Sequence, residues 1–180
     1  MAGASIIFIH GASSSGKSTL ARGVQAAIEL PFWHISIDKL RDAGVLPSAR
    51  IKSGEFQWKG DMRRRFFDGF HRSLVAYAEA GNNLILEHIL DTPGWREDLV
   101  RLLAPFDVFF VGVHCSVEEL RRREAARGDR EIGSAERDFH TIHQGLRYDF
   151  EVQSEAGVES NVAQVIAAWQ ARRTPSAFLG

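Results

Sequence analysis

A chain of 180 residues, 44% of them hydrophobic and 25% charged, has the size and balance of one water-soluble globular domain with a substantial core. Its 22 basic and 23 acidic residues leave a net charge of −1, which offers nothing to nucleic acid or to a membrane surface. No apolar run is long enough to span a bilayer, no basic stretch marks a signal peptide, and the single cysteine, Cys115, has no disulfide partner in the chain; a cytoplasmic protein is expected.

The first apolar run, Ile6-Ile7-Phe8-Ile9, reads as a buried strand over residues 5–10. It leads into Gly11-Ala12-Ser13-Ser14-Ser15-Gly16-Lys17-Ser18, which fits G-x-x-x-x-G-K-[ST], a loop that cradles phosphates. A helical pattern follows from Thr19 to about Leu30, stopped by Pro31. Strand, glycine-rich loop and helix together give the motif its physical meaning. The backbone N–H groups curl toward an anion, and the helix adds its unpaired donors and positive dipole end. Lys17 is expected to reach the outer phosphates of a nucleotide, with Thr19 beside them and the Ser18 hydroxyl on Mg²⁺.

A second strand over residues 33–37 delivers Asp38 at its carboxyl end. Residues 41–60 read as irregular, broken by Gly44, Pro47, Gly54 and Gly60, and a loop of that length in a compact domain is usually functional. Asp61 is expected to cap a helix running to about Ala80 and ended by Gly81. Strand 84–86 ends at Glu87-His88, Pro93 opens a helix through residue 103, and 108–113 is a buried strand. A helix over 117–127 precedes the polar run Arg127-Gly128-Asp129-Arg130-Glu131. Residues 137–145 read as helix, 148–152 as a short strand and 158–171 as a last helix before a loose tail. Strands alternating with helices predict an α/β fold with a parallel sheet, helices on both faces and right-handed crossovers.

Ligands of such sheets sit beyond the carboxyl ends of the strands, which selects Asp38, Glu87, His88 and Cys115. Asp38 is placed to orient an acceptor hydroxyl and take its proton; its other reading is a cap for the turn Lys39-Leu40-Arg41. Glu87 is placed to hold Mg²⁺ or its water, or to pair with an arginine. The seven histidines lack metal-ligand spacing and read as ordinary side chains. Cys115 reads as a buried structural thiol. Arg121-Arg122-Arg123 reads as a solvated face.

Through these residues the chain resembles the chloramphenicol phosphotransferase-like kinases, P-loop proteins related to nucleotide and shikimate kinases. The resemblance is densest over Val111-Gly112-Val113-His114-Cys115, over Arg123 to Arg130 and over Tyr148-Asp149-Phe150-Glu151-Val152. It implies a five-stranded parallel sheet in the order 2-3-1-4-5, ATP with Mg²⁺ as donor, and Asp38 as the base. Arg127 and Arg130 resemble the arginines of a small-molecule-kinase lid, here near residues 127–138. In the family's founding activity the acceptor is chloramphenicol, and phosphorylation inactivates the antibiotic. The chain departs from that enzyme at Glu87-His88, which stand in place of paired aspartates, and in the acceptor-side insert near residues 41–65.

The expected function is therefore an ATP-dependent kinase for a small-molecule hydroxyl, in one domain, with no nucleic-acid or membrane partner. A metabolite or nucleotide-sugar kinase and a non-catalytic nucleotide-gated module are the alternatives. Val45, Leu46, Ile51, Phe56, Trp58, Phe66 and Phe67 either wall an acceptor with a sizeable apolar body or pack their segment onto the sheet.

Overall fold

The computed structural model describes residues 3–127, 133–172 and 175–180. In chain order they form β1 (Ser5–Gly11), α1 (Lys17–Ala27), β2 (Phe32–Ser36), α2 (Ile37–Asp42), α3 (Ser48–Lys52), α4 (Asp61–Glu79) and β3 (Asn83–Glu87). There follow α5 (Trp95–Leu103), β4 (Asp107–His114), α6 (Val117–Arg127), α7 (Ser134–Thr141), β5 (Phe150–Gln153) and α8 (Val158–Gln170). Among the described residues no helix is long and apolar enough to cross a membrane.

All strand pairings are parallel, and the sheet runs β2-β3-β1-β4-β5, the order the resemblance implies. β1 is central and buried along its whole length, which is why its sequence is continuously apolar rather than alternating. Alternation still sorts its side chains. Ile6 and Phe8 join Leu74 of α4, Leu99 of α5 and Phe110 on one face; Ile7 and Ile9 join Val24 of α1, Val111 and Val165 of α8 on the other. The register sets Glu87 beside Ile9 on one side and Ser36 on the other. Three strand ends thus meet at the loop that follows Gly11.

Most boundaries fall within a few residues of expectation, and the departures have local causes. α1 ends at Ala27 because Ile28 is already extended (φ −75°, ψ 136°), ahead of Pro31. Residues 41–60 are less irregular than their glycines suggest: they hold the end of α2 and all of α3. Asp61 is the first helical residue of α4 rather than its cap, a position taken by Gly60. α7 starts at Ser134 and ends at Thr141, earlier at both ends than the pattern implied.

The tail is not loose. Phe178 is fully buried, with its ring centroid 5.0 Å from those of Phe8 and Phe110. The Asp149 carboxylate accepts from the backbone N–H groups of Phe110 and Ala177, both at 2.7 Å, and from the Ser176 hydroxyl. One carboxylate thereby ties the tail to β4, a contact that no local periodicity announces.

Candidate active site

The loop after β1 is shaped by two glycines. A Cβ on Gly11 would lie 2.5 Å from the Val113 carbonyl oxygen, so only glycine lets the chain leave the sheet here. Gly16, at φ 98°, turns the chain into α1 and lies against Arg123. Ser14 adopts a positive φ of 63° between them. Ala12, Ser13, Ser14 and Ser15 form the curl, and Lys17, Ser18 and Thr19 open α1. The Lys17 ammonium folds into the curl and donates to the carbonyls of Gly11 and Ala12 at 2.8 and 2.7 Å. Among the described residues, the hydroxyls of Ser14 and Ser15 are buried without hydrogen-bond partners. Such buried donors fit a phosphate group, whose oxygens only accept.

Ser18 donates from Oγ to Glu87 Oε1 at 2.6 Å, and Glu87 Oε2 lies 3.1 Å from His34 Nε2. Burial pushes the Glu87 carboxyl up, but the hydrogen bonds from His34 and Ser18 and the charge of Lys17 outweigh it, holding the group below its ordinary value. Its partners are a serine and a histidine rather than an arginine. A hydroxyl and an ionised carboxylate side by side are the hard oxygen donors that Mg²⁺ takes. Among the described residues no cluster of three His, Cys, Asp or Glu side chains could hold a metal, so an ion here would draw its remaining ligands from phosphate and water.

Asp38 lies in the first turn of α2 rather than at the end of its strand, and the cap of that helix is Ser36, whose Oγ accepts from the Lys39 N–H at 3.2 Å. The Asp38 carboxylate pairs with Arg41 at 3.1 Å. It lines a cleft of about 690 Å³ together with Lys17, Ser18 and Glu87. Arg63, Phe67, His88, Asp91 and Trp95 line the same cleft.

The histidines at this wall are structural. His88 Nδ1 lies 2.6 Å from the Ile89 carbonyl and Nε2 lies 2.9 Å from His71 Nε2. A carbonyl only accepts, so Nδ1 carries the proton and the Nε2–H of His71 donates to His88. Burial lowers His88 to about 3 and His71 to about 4. His88 therefore presents a neutral ring with both nitrogens engaged, unsuited to act as a base.

Two expectations need correction. Arg123 does not belong to a solvated face: it donates to the Ser15 carbonyl and to Ser154 Oγ, both at 3.2 Å, and braces the loop. Only Arg121 and Arg122 of that triplet are exposed, paired with Glu136 and Glu119. Of the seven apolar residues offered for an acceptor wall, Phe67 alone lines the cleft. Trp58 and Phe66 pack on the core, Phe56 lies under the Arg50 guanidinium, and Val45 is exposed.

Cys115 is buried, and burial pushes its thiol up, in keeping with a structural role. Arg127 closes α6, its side chain and Arg130 lying outside the described residues. Sequence reasoning missed His34, Arg63, Arg123 and Asp138, whose carboxylate accepts from the Ser13 N–H at 3.1 Å. His34, Arg123 and Asp138 stand far in the chain from Glu87, Ser15 and Ser13, and Arg63 far from Trp95, so no spacing marks those contacts; only Arg63 and Phe67 share a helical i,i+4 spacing.

The model of one protein family, described as chloramphenicol phosphotransferase-like protein, matches residues 4–170. A Mycobacterium tuberculosis protein provisionally named an O-phosphotransferase is 30% identical over 192 aligned positions, covering 96% of this chain and 85% of the relative. Among solved structures, the APS kinase of Mycobacterium tuberculosis in complex with AMPPNP and APS superposes with a TM-score of 0.69 at 16% identity. The match covers 94% of this chain and 99% of that one. A gluconokinase from Sinorhizobium meliloti gives a TM-score of 0.64 at 20% identity, covering 95% and 94%. At these identities the structural likeness establishes a shared fold.

Proposed function

The chain belongs to the chloramphenicol phosphotransferase-like family, and from that premise we propose that it transfers the terminal phosphoryl group of ATP to a hydroxyl of a small molecule. ATP supplies the phosphoryl group, and Mg²⁺ offsets the charge on its phosphates. The loop 11–16 and the first turn of α1 grip those phosphates, with Lys17 at the outer ones. Ser18 and Glu87 hold the metal or its water. Asp38 orients the acceptor hydroxyl and takes its proton as the new P–O bond forms and the bond to the ADP oxygen breaks. By the family resemblance, Arg127 and Arg130 would stabilise charge on the moving group.

One observation carries this reading: Asp38 shares a cleft with Lys17, Ser18 and Glu87 while Ser36, not Asp38, caps α2. A nucleotide-gated module needs the loop and the metal ligands but no carboxylate facing them. The provisional name of the mycobacterial relative supports the same reaction class. For the acceptor, the family points to chloramphenicol or a related antibiotic-like alcohol. The failure of most of the apolar segment to reach the cleft favours a more polar compound, a metabolite or nucleotide sugar. ATP consumption with and without chloramphenicol and a panel of hydroxyl metabolites, with product mass read by spectrometry, tests the proposal. Consumption that no acceptor raises, from protein that binds ATP, would overturn it.

A further inference from the structure

We propose that the part of the cleft lined by Arg63, Phe67 and Trp95 is an anion subsite, where the Arg63 guanidinium receives a carboxylate, or another group presenting two anionic oxygens, carried by the molecule whose hydroxyl faces Asp38. The inference deepens the phosphotransferase reading, and it rests on that reading for the identity of the molecule as an acceptor.

Arg63 lies in the first turn of α4, and its side chain is about one-third exposed to solvent. Its guanidinium lies 4.8 Å from the ring centroid of Phe67 and 4.7 Å from that of Trp95, and the two rings are 4.1 Å apart. The Trp95 and Phe67 rings thus present an apolar platform, but a cation already covers part of it. One donor, Nη1, is used on Thr92 Oγ1 at 3.1 Å. Asp91 Oδ1 lies 3.6 Å from Nη2, an ion pair without a hydrogen bond, so a ligand anion would share the guanidinium with that carboxylate. A guanidinium carries five N–H donors in a fixed fork, so among the described residues most of them remain to be satisfied.

That arrangement selects a ligand. With its carbon over both rings, the guanidinium keeps N–H donors that could pair with the two oxygens of a carboxylate. His88 cannot answer the donors, because both of its nitrogens are engaged within the protein. A purely apolar alcohol filling the cleft would strip water from those donors and give nothing back. An anionic group would satisfy them in a half-buried setting where charge is only partly screened.

The test uses the whole chain with Mg²⁺ and a non-hydrolysable ATP analogue filling the phosphate loop. Benzoate and phenylacetate are the probes; benzyl alcohol and phenethyl alcohol are their uncharged counterparts. The fluorescence of Trp95, beneath the guanidinium, reports binding, and a Trp95→Phe variant identifies its share of the signal. The carboxylates are expected to bind about tenfold or more tightly than the alcohols. Arg63→Gln should erase that preference, and Arg63→Lys, which keeps the charge without the fork, should retain part of it. Equal binding of carboxylate and alcohol by the native chain, or a preference that survives Arg63→Gln, overturns the subsite.

A second arm measures ATP consumption with hydroxyl compounds matched in pairs with and without a carboxylate. Turnover confined to the uncharged members, with KM unmoved by Arg63→Gln, overturns the subsite and leaves the transfer reaction standing. An Arg63-dependent preference for carboxylates with no transfer to any compound does the reverse.

Discussion

In the part of the cleft proposed for phosphate the groups come from one unbroken stretch, residues 11–18, together with the end of the neighbouring strand; in the part proposed for the acceptor they come from α2, α4, the end of β3 and α5. The first end is shaped largely by backbone, with Gly11 and Gly16 fixing the path and Lys17 folded onto the loop's own carbonyls. The second is shaped by side chains of packed elements, such as Arg63 and Phe67 of α4 against Trp95 of α5. A backbone cradle recognises phosphate whatever the rest of the ligand is, while a wall of packed side chains can change its ligand by a few substitutions.

The sharpest way to break this division is Lys17→Ala. Transfer should fall to background for every acceptor while circular dichroism and the melting temperature stay close to native, because the ammonium donates to the loop carbonyls of Gly11 and Ala12 and the side chain is no member of the hydrophobic core clusters. Turnover that survives the change would remove the phosphate end from the chemistry.

Asp38→Asn sits at the junction of the two ends. It keeps the size of the side chain and removes the proton acceptor, so phosphorylation should drop by roughly 10²–10⁴-fold while ATP affinity, measured by calorimetry, is nearly unchanged. A comparable loss of ATP binding would assign Asp38 to the phosphate end instead.

His34 tests how far the phosphate end extends. Its Nε2 holds Glu87 from the side opposite Ser18, and such outer partners of metal ligands commonly tune affinity by about 10–100-fold. His34→Leu should therefore weaken Mn²⁺ binding by about tenfold in the presence of ADP, and His34→Gln, which keeps an N–H donor, should restore part of it. Nucleotide binding without metal should not move.

The smallest effect is expected at Phe56. Its ring lies 4.0 Å from the Arg50 guanidinium and does not line the cleft, so Phe56→Ala should leave the KM for acceptor and for ATP unchanged. Phe67→Leu, by contrast, should raise the acceptor KM, since Phe67 carries the Arg63 cation. A reversed outcome would place the acceptor against the insert after all.

The sequence alone determined the parallel sheet with its covering helices, the phosphate loop, and the delivery of Glu87 to a strand end; it set Asp38 at a strand end too, where the structure has the first turn of α2. These follow from short-range rules: continuous apolar runs for buried strands, glycines where the backbone must turn or approach closely, and helical spacing between them. Tertiary structure alone decided the pairings. Ser18 meets Glu87 across 69 residues, His34 meets Glu87 across 53, and Arg123 reaches the Ser15 carbonyl across 108. It also decided that Phe178 belongs to the core, that Arg63 covers the aromatic wall, and that six of seven apolar residues near the insert turn away from the cleft. The physical reason is that backbone conformation answers to neighbours in the chain. A side chain's partner is set by strand register and helix packing, which bring together residues whose spacing in the sequence carries no signal.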